Sequence, residues 1–66
     1  MLESALKRVN ALAGCEGRLY NDKYGWFVIW SNYTFSESSY TAGELLAYLH
    51  GLEDALLFIK NKEKEL

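Results

Sequence analysis

The chain has 66 residues, which gives room for one domain with one hydrophobic core, and half of them are hydrophobic, which excludes the class of chains too polar to fold. Its net charge is −2, and no Lys or Arg lies between Lys23 and Lys60. Because phosphate groups are bound mainly by basic side chains, this distribution argues against a nucleic-acid surface. We expect a single domain over residues 1–66.

The one cysteine and the one histidine limit how so small a chain can be stabilised. Cys15 cannot close an intrachain disulfide, and Cys15 with His50 cannot supply the four protein ligands of a structural zinc site. For an isolated chain of this length, the free energy of apolar burial and the entropy of ordering nearly cancel. We therefore expect a homodimer without a metal or a cofactor.

The N-terminal segment has the pattern of an amphipathic helix. Gly14 can take the left-handed conformation that ends a helix, so the first helix is predicted over residues 2–13. Charged residues interrupt the segment, which distinguishes it from a secretion signal, and no apolar run is long enough to span a bilayer. We expect a cytoplasmic protein with no membrane contact. The apolar residues at helical spacing are Leu2, Ala5, Leu6, Val9, Leu12 and Ala13.

Residues 16–36 are rich in β-branched and aromatic side chains separated by turn-forming residues, a pattern typical of strands. We expect strands over residues 18–20 and 26–31, joined as a hairpin by a five-residue turn at 21–25. A third, weaker strand is predicted over residues 33–36, because aromatic and polar residues alternate there.

Polar residues flank the third strand. Ser31 and Asn32 predict a tight turn before it, and residues 38–40 are expected to form a loop after it. Thr41 and Glu44 then have the spacing of a capping box, in which each side chain accepts a hydrogen bond from the other residue's backbone amide. This pattern places the start of the second helix at Thr41.

The second helix has a core stripe of apolar residues separated by four, three, four and three positions. Its register continues through Gly51, so one helix to about residue 61 is predicted. A break at Gly51 into two shorter helices is the alternative, because glycine is often a helix terminator. The stripe residues are Leu45, Leu49, Leu52, Leu56 and Ile59.

These elements predict an α+β fold in the order α-β-β-(β)-α, with two or three antiparallel strands and both helices on one face of the sheet. The longest strand is apolar on both faces. Two helices can cover only one of them. Trp26, Val28 and Trp30 form one face, which we call the tryptophan face, and Phe27 and Ile29 form the other.

The sheet face that the helices leave uncovered is a candidate interaction surface, and two alternatives stay open. Helices on the Phe27 and Ile29 face would expose the tryptophan face, with Tyr20 beside it, whereas helices on the tryptophan face would bury it as core. Leu57 and Phe58 are further apolar residues that the core stripe does not use, and we expect them near the centre of the dimer contact. The tryptophan face is the alternative dimer contact. The candidate interaction residues are Tyr20, Trp26, Val28, Trp30, Leu57 and Phe58.

The residue pattern gives little support to catalysis. We expect Cys15 to be a small buried or half-buried residue after a helix cap, and His50 to lie on a helix surface, so that they do not act as a nucleophile and its base. Glu53 and Asp54 point about 100° apart on a helix and do not face one substrate as an acid and a base. We expect a protein that is not an enzyme.

The aromatic hairpin segment GWFVIW at 25–30, followed by TAGELLAYLHG at 41–51, resembles short helix-hairpin-helix proteins encoded by bacteriophages and prophages. The resemblance covers about half of the chain, and residues 52–66 extend beyond it. Members of that group act, where anything is known, by binding a host or phage protein. The resemblance therefore implies a protein partner and singles out no residue.

The sequence as a whole favours a non-catalytic protein-binding accessory that modulates or inhibits a host or phage protein. A nucleic-acid-binding regulator that uses an aromatic sheet face is the alternative, and a small enzyme comes third.

Overall fold

The computed structural model describes the backbone of residues 1–30 and 33–65, and the side chains of residues 1–30 and 40–64. Its α+β architecture follows the predicted order, with a helix first, an antiparallel sheet in the middle and a long helix last. The elements are α1 (Leu2–Ala13), β1 (Arg18–Asp22), β2 (Gly25–Trp30), β3 (Tyr33–Tyr40) and α2 (Ala42–Glu65).

Helix α1 ends at the glycine that the sequence indicated. Gly14 has a φ of 68°, which glycine adopts without a steric penalty, and its N–H donates to the Asn10 carbonyl at 2.9 Å. The Cys15 N–H donates to the same carbonyl at 3.1 Å. These hydrogen bonds close the last turn of α1 and direct the chain towards β1.

Strands β1 and β2 form the predicted hairpin, but only Lys23 and Tyr24 lie between them. The Asp22 carboxylate accepts hydrogen bonds from the backbone N–H groups of Tyr24 at 2.8 Å and Gly25 at 3.1 Å, which fixes the short turn. Gly25 has a φ of 137°, in the region that favours glycine. The predicted five-residue turn at 21–25 is therefore too long, and its first two residues belong to β1.

Strand β3 pairs antiparallel with β2, which gives three strands in the order β1-β2-β3. It continues to Tyr40, which pairs with Trp26, so the loop predicted at 38–40 is strand instead. The register shifts between Trp26 and Val28, and this irregularity lets the longer β3 stay paired at both of its ends. The turn predicted at residues 31–32 lies outside the described residues.

Helix α2 begins with the predicted capping box. The Thr41 N–H donates to Oε1 of Glu44 at 2.9 Å, and the Glu44 N–H donates to Oγ1 of Thr41 at 3.1 Å. The helix is continuous through Gly51, as predicted, and extends past residue 61 to Glu65. Gly51 does not interrupt it, because neighbouring turns on both sides carry the core stripe.

Both helices pack on the same face of the sheet, as predicted, and they run in the same direction. The first residues of α1 lie near Ala42 at the start of α2, and Arg8 pairs with Glu53 further along. Helix α2 has 24 residues and α1 has 12, so α2 is longer by about 18 Å and extends past the end of α1. The buried core residues are Ala5, Leu6, Val9, Val28, Trp30, Leu45 and Leu49.

Candidate protein-interaction surfaces

The tryptophan face is the core face of the sheet. Val28 is 2% exposed and Trp30 is 8% exposed, and both belong to the core cluster with residues of the two helices. Trp26 is half-buried and packs against the same cluster. The alternative in which the tryptophan face is exposed is therefore wrong. The other alternative, in which the helices bury this face as core, is the observed arrangement. Val28 is therefore not accessible to a partner, and Trp30 retains only its 8% exposure.

Gly17 and Trp30 approach each other closely on this buried face. A Cβ atom on residue 17 would lie 2.6 Å from Cζ3 and 2.7 Å from Cε3 of Trp30, so only glycine lets the chain pass this close to the indole. Asn10 holds Gly17 there, because its side-chain amide donates to the Gly17 carbonyl at 3.0 Å and its Oδ1 accepts from the Gly17 N–H at 2.8 Å. The indole is fixed against the segment that joins α1 to β1.

Tyr20 lies on the sheet face opposite the tryptophans, so the prediction that it accompanies them is wrong. Tyr20 pairs with Phe27, and Leu19 pairs with Val28. A five-residue turn would instead have paired Tyr20 with Trp26. Since a shift of one residue moves every side chain of a strand to the other face, the turn length decides the position of Tyr20. Its ring stacks on Phe27, with centroids 5.6 Å apart, on the outer face.

The protruding end of α2 carries three consecutive exposed apolar side chains. Phe58 is 70% exposed, Ile59 is 53% exposed and Leu57 is 42% exposed. On an ideal helix, Leu57 and Phe58 point about 140° and 120° away from Leu52, on opposite sides, whereas Ile59 points within about 20° of it. Leu57 and Phe58 are therefore exposed, as their positions off the core stripe suggested, and Ile59 is a stripe residue that no described part of the chain covers fully.

An apolar groove of about 300 Å³ lies where α1 ends against α2. Its walls come from the last turn of α1, the loop after it, the end of β2 and one side of α2. This groove was not expected from the sequence. The available signal was the stripe of α2, which continues to Ile59 and is longer than the first helix can cover. The lining includes Val9, Ala13, Trp30, Leu52, Leu56 and Ile59.

Cys15 is exposed and lines this groove, which corrects the prediction of a buried or half-buried thiol. In the loop after α1, Gly17 is the residue that enters the space beside the Trp30 ring, and Cys15 remains outside it. His50 is exposed on α2, as predicted, about 160° around the helix from Leu52. Cys15 faces the Leu52 side of α2, so the fold does not bring thiol and imidazole together.

Charged side chains surround the apolar surfaces. Nε of Arg8 lies 2.6 Å from Oε2 of Glu53, which joins the two helices by an ion pair. Lys60 follows Glu53 by seven residues, about two helical turns further along and within about 20° around the helix. At the start of α2, the hydrogen bond from the Thr41 backbone amide, with a further contribution from the Thr41 side chain, lowers the pKa of the Glu44 carboxyl below its ordinary value.

In the part of the chain that the structure describes, no three His, Cys, Asp or Glu side chains are grouped closely enough to hold a metal ion. Among the same residues, no helix combines the length and apolarity needed to cross a membrane.

Comparison of the chain with protein families, with characterised proteins and with solved structures gave no match.

Proposed function

We propose that the protein is a non-catalytic protein-binding accessory whose contact surface is centred on Leu57 and Phe58. The observation that carries this proposal is the 70% exposure of Phe58 on the protruding end of α2. Buried aromatic side chains dominate the binding energy of many interfaces, and an exposed one is a feature that a partner can bury. The resemblance to phage-encoded proteins supports a cytoplasmic host or phage protein as the partner.

The shape of the molecule suits recognition by insertion. The chain is 46 Å long and only 23 by 19 Å across, so the end of α2 can reach a partner without interference from the sheet. Burying an exposed phenylalanine in a partner's pocket contributes roughly 2 kcal/mol. Lys62 and Lys64 in the last turn, with Glu63 between them, supply a charged rim of the kind found around apolar interface centres.

The nucleic-acid alternative relied on the tryptophan face, which packs against the helices. Among the described side chains, Tyr20 and Phe27 form an aromatic pair on the outer sheet face, and Arg18 lies in register with Ile29 near them. One basic side chain beside this pair neutralises little phosphate charge. Protein binding through the end of α2 is therefore the function that the geometry supports best.

Affinity capture from a lysate of the native host tests the proposal with a matched pair of variants. Phe58→Glu places a charge at the centre of the proposed surface, and Tyr24→Glu does the same at an equally exposed aromatic residue in the hairpin turn, where Tyr24 is 74% exposed. We expect a partner that wild type and Tyr24→Glu retain and that Phe58→Glu loses, while circular dichroism shows all three chains folded. A partner lost only by Tyr24→Glu would move the surface to the hairpin and refute the proposal.

A further inference from the structure

We propose that the groove at the end of α1 is filled by the end of α2 from a second copy of this chain, packed antiparallel in a two-fold dimer. The dimer contact uses the Ile59 side of α2 and leaves Leu57 and Phe58 to the partner proposed above. It moves the contact about 150° around α2, from the midpoint of Leu57 and Phe58 expected from the sequence to Ile59. The two proposals can therefore fail separately.

The lengths of the helices leave the last two of the five stripe residues of α2 only partly covered. Helix α1 has 12 residues and packs along the first half of the 24-residue α2. Beyond Ala13 the stripe continues through Leu56 and Ile59, which line the groove. A second helix that is apolar on one side can cover such a stripe by packing along it.

The end of α2 itself meets that description. Ile59 is 53% exposed and belongs to the groove wall, so the same side chain can be wall in one copy and occupant in the other. An antiparallel pair centred between residues 57 and 58 places Leu56 of one copy opposite Ile59 of the other. Two-fold symmetry then fills both grooves with one contact, which is the self-complementarity that a dimer interface needs.

The charges beside the stripe select the antiparallel direction. Lys60 and Glu53 lie on the same side of α2, two turns apart, and Glu53 is held towards α1 by its 2.6 Å contact with Arg8. In the antiparallel pair, Lys60 of each copy lies within a turn of Glu53 of the other. In a parallel pair, equivalent flanking residues lie on opposite sides of the contact, so Lys60 would face the side of the other copy that carries Ala55. Opposite charges thus meet only in the antiparallel direction.

Sedimentation equilibrium over a hundredfold concentration range, up to about 100 μM, tests the dimer. We expect wild type to approach twice the 7.6 kDa mass of the chain. Ile59→Glu should weaken the dimer by more than about a hundredfold, because it buries two unpaired carboxylates at the seam, while Phe58→Glu should leave it intact. A wild type that stays at the monomer mass, a dimer that survives Ile59→Glu, or one lost in Phe58→Glu would overturn the proposal.

The direction of packing is tested by a second pair of variants with the same charge change. Lys60→Glu should raise the dissociation constant about tenfold, because two attractive pairs become repulsive, whereas Lys64→Glu should change it less than about twofold. A parallel dimer would respond weakly to Lys60→Glu, since Lys60 would there face the uncharged Ala55 of the other copy. Equal effects of the two variants would therefore refute the antiparallel register. Phe58→Glu that remains dimeric but loses its protein partner would separate this dimer from the proposed function.

Discussion

Replacement of Gly17 by alanine gives the most direct test of how the tryptophan face is buried. The new Cβ would lie 2.6 and 2.7 Å from two ring carbons of Trp30 and 3.0 Å from Oδ1 of Asn10. Trp30 is only 8% exposed and packs in the core cluster, so its rigid ring can move aside only by disturbing that packing. Overpacking of this kind costs about 1 to 3 kcal/mol. The lower entropy of alanine in the unfolded chain offsets about 0.4 to 1 kcal/mol of that cost.

The expected net loss for Gly17→Ala is therefore about 1 to 2 kcal/mol, or a fall of about 1 M in the urea midpoint of a chain this small. The assay is urea unfolding at one fixed protein concentration, because self-association changes the apparent stability. Gly51→Ala is the control: its Cβ meets nothing within 4 Å, and alanine should stabilise the helix by about 1 kcal/mol. A Gly17→Ala chain as stable as wild type would refute the steric argument.

Three further predictions concern polar contacts, and each is read by thermal or urea unfolding. Asn10→Ala should cost about 2 kcal/mol of folding stability, because it leaves the buried N–H and C=O of Gly17 without their partners. The control Asn21→Ala removes an exposed 3.2 Å hydrogen bond and should cost less than about 0.5 kcal/mol. Equal losses in the two variants would contradict this prediction. Thr41→Ala should cost about 1 kcal/mol through loss of the helix cap, and an unchanged midpoint would refute that role. The folded-state pKa of the Glu44 carboxyl is lowered, so its contribution to stability is present above the ordinary carboxyl pKa and is lost as the pH falls through the folded-state pKa. Glu44→Gln should therefore lose less stability than wild type between pH 7 and pH 3.

The helices could be predicted because their signals are local. Gly14 ends α1, the Thr41 and Glu44 pair begins α2, and the spacing of the leucines carries α2 through Gly51. Each of these signals is contained within a few residues of chain, so the sequence alone was sufficient. The protruding position of Phe58 could be inferred in the same way, since it follows from helical spacing and from the difference in helix length.

The buried sheet face could not be predicted because both faces of β2 are apolar and the pattern of hydrophobic residues does not choose between them. Two contacts that β2 makes with other segments accompany the observed arrangement. One is the pairing of Leu19 with Val28, which a one-residue error in the turn reverses. The other is the passage of Gly17 beside Trp30, which requires the loop after α1 and the end of β2 to meet.

The position of the groove depends on the third strand, which has the weakest strand pattern in the sequence. With three strands between the helices, the chain reverses direction four times and α2 runs parallel to α1, so the free half of α2 passes the end of α1 at Ala13. With two strands, α2 would run antiparallel and its free half would pass the start of α1 near Leu2 instead. β3 therefore determines that Ile59 lies beside Cys15 and Trp30. The position of the proposed dimer contact is thus a consequence of strand number, because strand number sets the relative direction of the two helices.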